Sequence, residues 1–186
     1  ITSPEKFRQR VPISTYEELF PEIERAMKGE ENVLWPGTIA WFAKSSGTTN
    51  ARSKYIPVSK ESLEDCHYKG GKDMLSIYAT LYPETKLFTG KALSIGGSLR
   101  ENELNANAQC GDVSAILMNN LPIWAEIART PPLKIALMDK WEEKIEAIAE
   151  TAIPENVTSI AGVPTWTYVL LNRILEITGK NSILEV

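Results

Sequence analysis

Short apolar runs of β character alternate along this chain with longer stretches that repeat apolar residues every three or four positions, and this alternation is the strongest constraint on its fold. The β-like runs fall at residues 38–43, 54–58, 91–95 and 157–161. Strands interleaved with helices bury their apolar faces as helices laid on a sheet. The expected class is therefore α/β, with helices packed on a mixed β-sheet that is at least partly parallel.

Start and stop signals delimit five helical stretches. Thr15 with Glu18 three residues later reads as a capping box ahead of Leu19, Ile23, Ala26 and Met27, with Gly29 as the stop and Pro21 expected to divide the stretch in two. Ser59 caps a second, with Leu63, Cys66, Met74, Ile77, Tyr78 and Leu81 as its apolar positions before Pro83. Gly70 and Gly71 inside it suggest close approach of another backbone. Asp112 opens a third stretch (Val113, Ile116, Leu117), which Pro122 restarts through Ile123, Trp124 and Ile127. Asp139 with Glu142 caps a fourth, with Trp141, Ile145, Ile148 and Ala149 inward and Glu142, Glu143, Lys144 and Glu146 mostly outward. Thr165 caps a fifth, through Val169, Leu170, Ile174 and Ile177 to Gly179. Trp124, Trp141 and Trp166 sit on apolar faces and read as core.

Composition removes several function classes. With 186 residues, 43% of them hydrophobic, the chain can bury a core without staples. Twenty basic against twenty-four acidic residues leave a net charge of −4 and no cationic stripe, so a nucleic-acid partner is not expected. No apolar run approaches the ~20 residues of a membrane span. Cys66 and Cys110 read as reduced thiols in a cytoplasmic protein. The single His67 and two scattered cysteines cannot build a zinc site, and no protein metal site is expected. His67 reads as packed or half-exposed rather than catalytic. A start at Ile1 without an initiator Met, and an end on Ile183-Leu184-Glu185-Val186, suggest a fragment of something longer.

The segment richest in chemistry is Trp41-Phe42-Ala43-Lys44-Ser45-Ser46-Gly47-Thr48-Thr49-Asn50-Ala51-Arg52-Ser53-Lys54-Tyr55. A β-like run enters, four hydroxyl residues surround one glycine, cations follow, and a second β-like run leaves. Hydroxyl donors, backbone N–H groups beside Gly47 and nearby positive charge are what an oligophosphate requires. The Walker pattern is absent and a strand follows, so no helix terminus supplies the attraction. The same residues are common turn formers, and composition alone favours a ligand-free hairpin. Gly96-Gly97-Ser98 could be a ligand-contacting turn, but reads first as a plain one. Gly162-Val163-Pro164 ends a strand just before a helix, where ligands often bind in α/β sheets, and also fits a simple tight corner.

Ser45-Ser46-Gly47-Thr48-Thr49 followed by Lys54 resembles the phosphate loop of the adenylate-forming superfamily of acyl-CoA synthetases and luciferase. With Val11-Pro12-Ile13-Ser14-Thr15-Tyr16, Leu87-Phe88-Thr89-Gly90 and Gly162-Val163-Pro164-Thr165-Trp166, the chain is most similar to the auxin-responsive promoter (Gretchen Hagen 3) family of acyl-acid amido synthetases, in its bacterial form. The resemblance covers nearly the whole chain. Ala51 departs from it, standing where the superfamily often has a second glycine.

The resemblance implies that residues 1–186 are a fragment of a large N-terminal adenylation domain with a β-turn-β phosphate loop, without the C-terminal domain. It implies two substrates besides ATP, a small carboxylic acid and an amino acid, joined through an acyl-adenylate, with magnesium as cofactor. Ser45, Ser46, Gly47, Thr48, Thr49 and Lys54 would hold the β- and γ-phosphates, and Val163 and Pro164 would touch the acyl group. The adenosine-binding motifs of relatives lie downstream, so the fragment is expected to be inactive alone, and no catalytic residue is assigned. The alternatives are a thioester-forming acyl-CoA ligase and a binding module that keeps the fold without catalysis.

Overall fold

The structure is a computed structural model that describes residues 2–45 and 53–186. Two small sheets form its frame. In the first, β1 (Trp41–Lys44), β2 (Tyr55–Val58), β4 (Leu99–Asn102) and β5 (Asn105–Gly111) run in the order β2-β1-β5-β4. In the second, β3 (Lys91–Ser94), β6 (Arg129–Thr130) and β7 (Val157–Ala161) run in the order β6-β3-β7. The second sheet is wholly parallel, whereas the first mixes a parallel β1/β5 pair with antiparallel β1/β2 and β4/β5 pairs. The α/β class with mixed pairing is as expected.

The α-helices are α1 (Pro4–Arg10), α2 (Tyr16–Met27), α3 (Lys69–Leu81), α4 (Val113–Asn119), α5 (Ile123–Ala128), α6 (Leu133–Ala136), α7 (Trp141–Ala152) and α8 (Pro164–Thr178). At the head of α2 the Thr15 hydroxyl accepts the Glu18 N–H at 3.3 Å, and Glu18 Oε2 accepts the Thr15 N–H at 2.7 Å. The helix ends at Gly29, whose φ of +90° suits glycine, with the Glu30 N–H returning to the Arg25 carbonyl. The expected break at Pro21 does not occur. Pro21 deprives only the Glu17 carbonyl of a donor, and the burial of Ile23, Ala26 and Met27 on one face holds the helix through it.

Ser59 caps the next helical stretch as expected, accepting the Ser62 N–H at 3.1 Å, but the first turns over Ser62–Tyr68 are π-helical before α3 continues. Tyr68 closes this stretch. Its hydroxyl donates to the Leu117 carbonyl at 2.9 Å, and burial pushes the phenol up to about 12 from its ordinary 10.0. A folded-state value above the unfolded one means stability is complete below pH 10 and is lost as pH rises through about 12. Tyr68→Phe is expected to cost about 1 kcal/mol at neutral pH and to remove that alkaline loss. Urea midpoints from pH 8 to 12, with tyrosinate absorbance, measure both effects.

Three expectations about packing are corrected. Met74, Ile77, Tyr78 and Leu81 of α3 are exposed, as are Ile123, Trp124 (72%) and Ile127 of α5, so these apolar stripes are not core among the described residues. Periodicity fixes which face of a helix is apolar and says nothing of what covers it. Among the described residues a methyl group at Gly70 or Gly71 would meet open space, so no described backbone approaches them there. Trp141 and Trp166 do pack, with ring centroids 5.1 Å apart, against a cluster of Leu93, Ile95, Ile145, Ile148, Leu170 and Ile174 formed by β3, α7 and α8.

Two caps are also displaced. α7 begins with Lys140 at its cap position, while Asp139 lies 3.4 Å from Arg100. α8 begins with Val163 at the cap and Pro164 in its first turn, where a fixed φ and missing N–H cost nothing, so Thr165 is already inside the helix.

Candidate functional site

β1 and β5 run parallel, so their C-terminal ends lie side by side, and these ends open onto a cavity of about 610 Å³. Lys44 and Ser45 come from the end of β1, Cys110, Gly111 and Asp112 from the end of β5, and Ser98 from the segment entering β4. Arg100, Glu101 and Glu103 make the wall mixed in charge, and Phe20 and Met27 of α2 supply apolar lining.

Of the predicted phosphate-loop residues, Ser46, Gly47, Thr48 and Thr49 lie outside the described residues, whereas Ser45 and Lys54 mark the loop's two ends. The Ser45 N–H donates to the Lys54 carbonyl at 2.8 Å, and the Lys54 N–H donates to Ser45 Oγ at 3.1 Å. This carries the β1/β2 hairpin one pair past its ladder and sets Ser45 at the cavity wall. The two ends of the hairpin are thus held at fixed spacing.

Lys54 itself leans on α2. Its Nζ stands 4.9 Å from the Tyr16 ring centroid and 3.6 Å from Glu17 Oε1. The Tyr16 hydroxyl accepts the Tyr55 N–H at 2.8 Å, which fastens the same strand to the helix. Lys44 is the β1 cation that reaches the cavity wall. Its signal in the sequence is its place, directly ahead of a hydroxyl run at a strand end.

Close packing shapes the opposite wall. A Cβ added at Gly111 would fall 2.3 Å from the Ser98 carbonyl oxygen, and one added at Gly97 would fall 1.7 Å from Asp112 Oδ2. The Asp112 carboxylate accepts the Ser98 N–H at 3.2 Å instead of capping α4. Gly96-Gly97-Ser98 is therefore a clamped segment that joins the two sheets, where the sequence suggested a plain turn. Its other end meets the predicted acyl corner: the Ile95 N–H donates to the Ala161 carbonyl at 2.8 Å, and Gly162 packs against Ile95. Val163 and Pro164 are exposed at the start of α8, outside the cavity wall.

Lys144 is a further correction. Expected outward, it is 2% exposed, and its Nζ donates to the carbonyls of Gly96 at 2.7 Å and Gly97 at 2.9 Å. The surrounding glutamates concealed it in the sequence, since a helical wheel gives a boundary position no sign. The cysteines are both free, as expected, and burial pushes the Cys110 thiol up, which leaves it protonated and a poor nucleophile. The described wall offers hydroxyl and backbone donors with two cations, Lys44 and Arg100, among three carboxylates, Glu101, Glu103 and Asp112, groups that bind and orient a charged ligand rather than attack it.

A family model described as the GH3 family N-terminal domain matches residues 1–186. Among curated proteins the chain is similar to the probable indole-3-acetic acid-amido synthetase GH3.2 of Oryza sativa subsp. japonica, with 41% identity over 64 residues, 34% of this chain and 10% of that protein. It is also similar to the jasmonoyl-L-amino acid synthetase GH3.3 of the same plant, 33% identical over 105 residues, 54% of this chain and 21% of that one. Among solved structures, the GH3.15 acyl acid amido synthetase superposes with a TM-score of 0.68 at 21% identity, covering 99% of this chain and 34% of that one. A likeness at that identity speaks for the fold alone. The chain thus spans about a third of the solved relative's length and less of the curated ones'. With a family model matching the chain from end to end, and the mixed α/β frame superposing on a solved relative along nearly its whole length, this protein belongs to the GH3 family and carries its N-terminal domain.

Proposed function

We propose that this chain is the N-terminal part of an ATP-dependent acyl-acid amido synthetase, contributing the site for the nucleotide's phosphates and part of the site for the acid. The observation that carries the reading is the cavity at the ends of the parallel pair β1/β5, bordered by the Ser45–Lys54 hairpin, in a chain matched throughout by the family. Its extent as a portion of a longer polypeptide rests on the third of the solved relative's length that it spans.

A carboxylate resists attack by an amine because its oxygen is a poor leaving group. In the proposed first step the acid's carboxylate oxygen forms a bond to the α-phosphorus of ATP and pyrophosphate departs. In the second an amino acid's nitrogen bonds to the acyl carbon, AMP departs with the former carboxylate oxygen, and the amine loses a proton. The residues assigned here act by position and charge: Ser45, Ser46, Gly47, Thr48 and Thr49 donate to the β- and γ-phosphates, while Lys44 and Lys54 offset their charge. Val163 and Pro164 border the acyl group.

Among the described residues no group of three or more His, Cys, Asp or Glu side chains is placed to hold an ion. Magnesium bound chiefly through phosphates and water needs only one or two carboxylates, and Asp112 on the cavity wall meets that need. Bound there, the ion would neutralise charge on the departing pyrophosphate. Among the described residues no helix is long and apolar enough to cross a membrane. The two free thiols accord with a cytoplasmic setting.

A family-length polypeptide that includes this chain is expected to exchange pyrophosphate into ATP only when a carboxylic acid is present, and to form an amide when offered amino acids. Mass spectrometry of the products, with coenzyme A supplied in parallel, decides the acceptor. A thioester would replace the amido reading with the acyl-CoA ligase, and no exchange with any acid would leave a non-catalytic binding module.

A further inference from the structure

Among the described residues Lys144 buries a cation without a carboxylate in contact: its hydrogen bonds go to backbone carbonyls, those of Gly96 and Gly97. Burial disfavours its charged form, while Asp112 and Asp139 stand near enough to favour it. Taking an ammonium out of water costs free energy that an apolar side chain of equal length would avoid. Filling space does not account for it, and what it holds is specific. The Gly97 N–H donates to Ser114 Oγ at 3.1 Å and the Ser98 N–H to Asp112 Oδ2 at 3.2 Å, both on the α4 side. The carbonyls of this segment thus turn toward α7 and its amides toward α4, so it is gripped from both faces. It is also the covalent link from β3 to β4, with the 162–164 corner at one end and the cavity at the other.

We propose that Lys144 is a positioning residue: its ammonium locks the Gly96 and Gly97 peptides, and through them it seats Ser98 and Asp112 in the cavity wall, in register with the corner at Val163 and Pro164. The inference rests on the amido synthetase reading for its consequence in catalysis, and on the hydrogen bonds alone for its consequence in the clamped segment.

Lys144→Met keeps the length of the side chain and removes its donors. In a family-length polypeptide, hydrogen–deuterium exchange at the Gly97 and Ser98 amides is expected to accelerate about tenfold or more, and the burst rate of acyl-adenylate formation per competent site to fall about ten- to a hundredfold. Lys144→Arg should recover part of both. A merely structural role would lower the burst amplitude, which counts competent molecules, and leave the rate per competent site unchanged. Ser114→Ala, which removes the acceptor of the Gly97 N–H from the opposite side, serves if Lys144→Met does not fold, and should shift both readouts in the same direction. Unchanged amide protection overturns the locking contact, and a rate per site within about twofold of the parent overturns the role in catalysis. No adenylate formation by the unsubstituted protein refutes the amido synthetase reading instead, while amide exchange still decides whether Lys144 holds the clamped segment.

Discussion

In a family-length polypeptide that includes this chain, Ser46→Ala with Thr48→Ala is expected to lower carboxylate-dependent ATP–pyrophosphate exchange by about 10²–10⁴-fold. Hydrogen bonds to a charged group contribute about 1.5–3 kcal/mol each, so two lost donors amount to about 3–6 kcal/mol, and each ~1.4 kcal/mol is a factor of ten in rate. The effect should fall on kcat/KM for ATP, since the leaving pyrophosphate gains charge as the bond to the α-phosphorus breaks. Stability is expected to change little, because among the described residues the hairpin's ends are fixed by the hydrogen bonds between Ser45 and Lys54 and by the Tyr16 hydroxyl, groups that both substitutions retain. Exchange kinetics with a thermal melt separate the two effects. Undiminished exchange would remove the phosphate assignment from this hairpin.

Ile148→Ala should destabilise the domain by about 2–5 kcal/mol, the cost of the lost methyl and methylene burial plus the cavity left behind. Ile148 is 0% exposed and packs in the cluster that joins β3, α7 and α8. Alanine's better helix propensity returns only a few tenths of a kcal/mol. The loss should appear as a lower urea midpoint at unchanged slope, since the surface exposed on unfolding stays nearly the same. A cost below about 1 kcal/mol would mean that this cluster repacks around the gap. Ile148 lies one turn after Lys144 on the same helix, so Ile148→Val, with a smaller expected cost of about 0.5–1.5 kcal/mol, is the milder probe of whether loosening this core also frees the clamped turn.

Local chemistry was legible. The capping box at Thr15 and Glu18, the glycine stop at Gly29, the Ser59 cap and the four apolar strands all depend on residues a few positions apart, and each is present. The family resemblance was also readable, because its motifs are short and ordered along the chain. β5 was only half legible. Asn105-Ala106-Asn107-Ala108-Gln109-Cys110-Gly111 alternates polar with apolar residues as a half-buried strand does, but it has no β-branched or aromatic residue, and it pairs with β1 on one side and β4 on the other. Backbone pairing with two ready neighbours overrides weak intrinsic preference.

The amino-acid sequence by itself determined the α/β class, the position of most helices, the hydroxyl-rich hairpin and the family, since these rest on spacings of two to four residues and on short motifs. Tertiary structure alone decided that Lys44 and Asp112 face one cavity, that Gly97 and Gly111 must lack side chains, and that Lys144 turns inward to hold two carbonyls. Each of these joins residues on different elements, and the sites they meet exist only after the strand order is set. A helix wheel cannot distinguish a lysine that faces water from one that faces a pair of carbonyls 47 and 48 residues away.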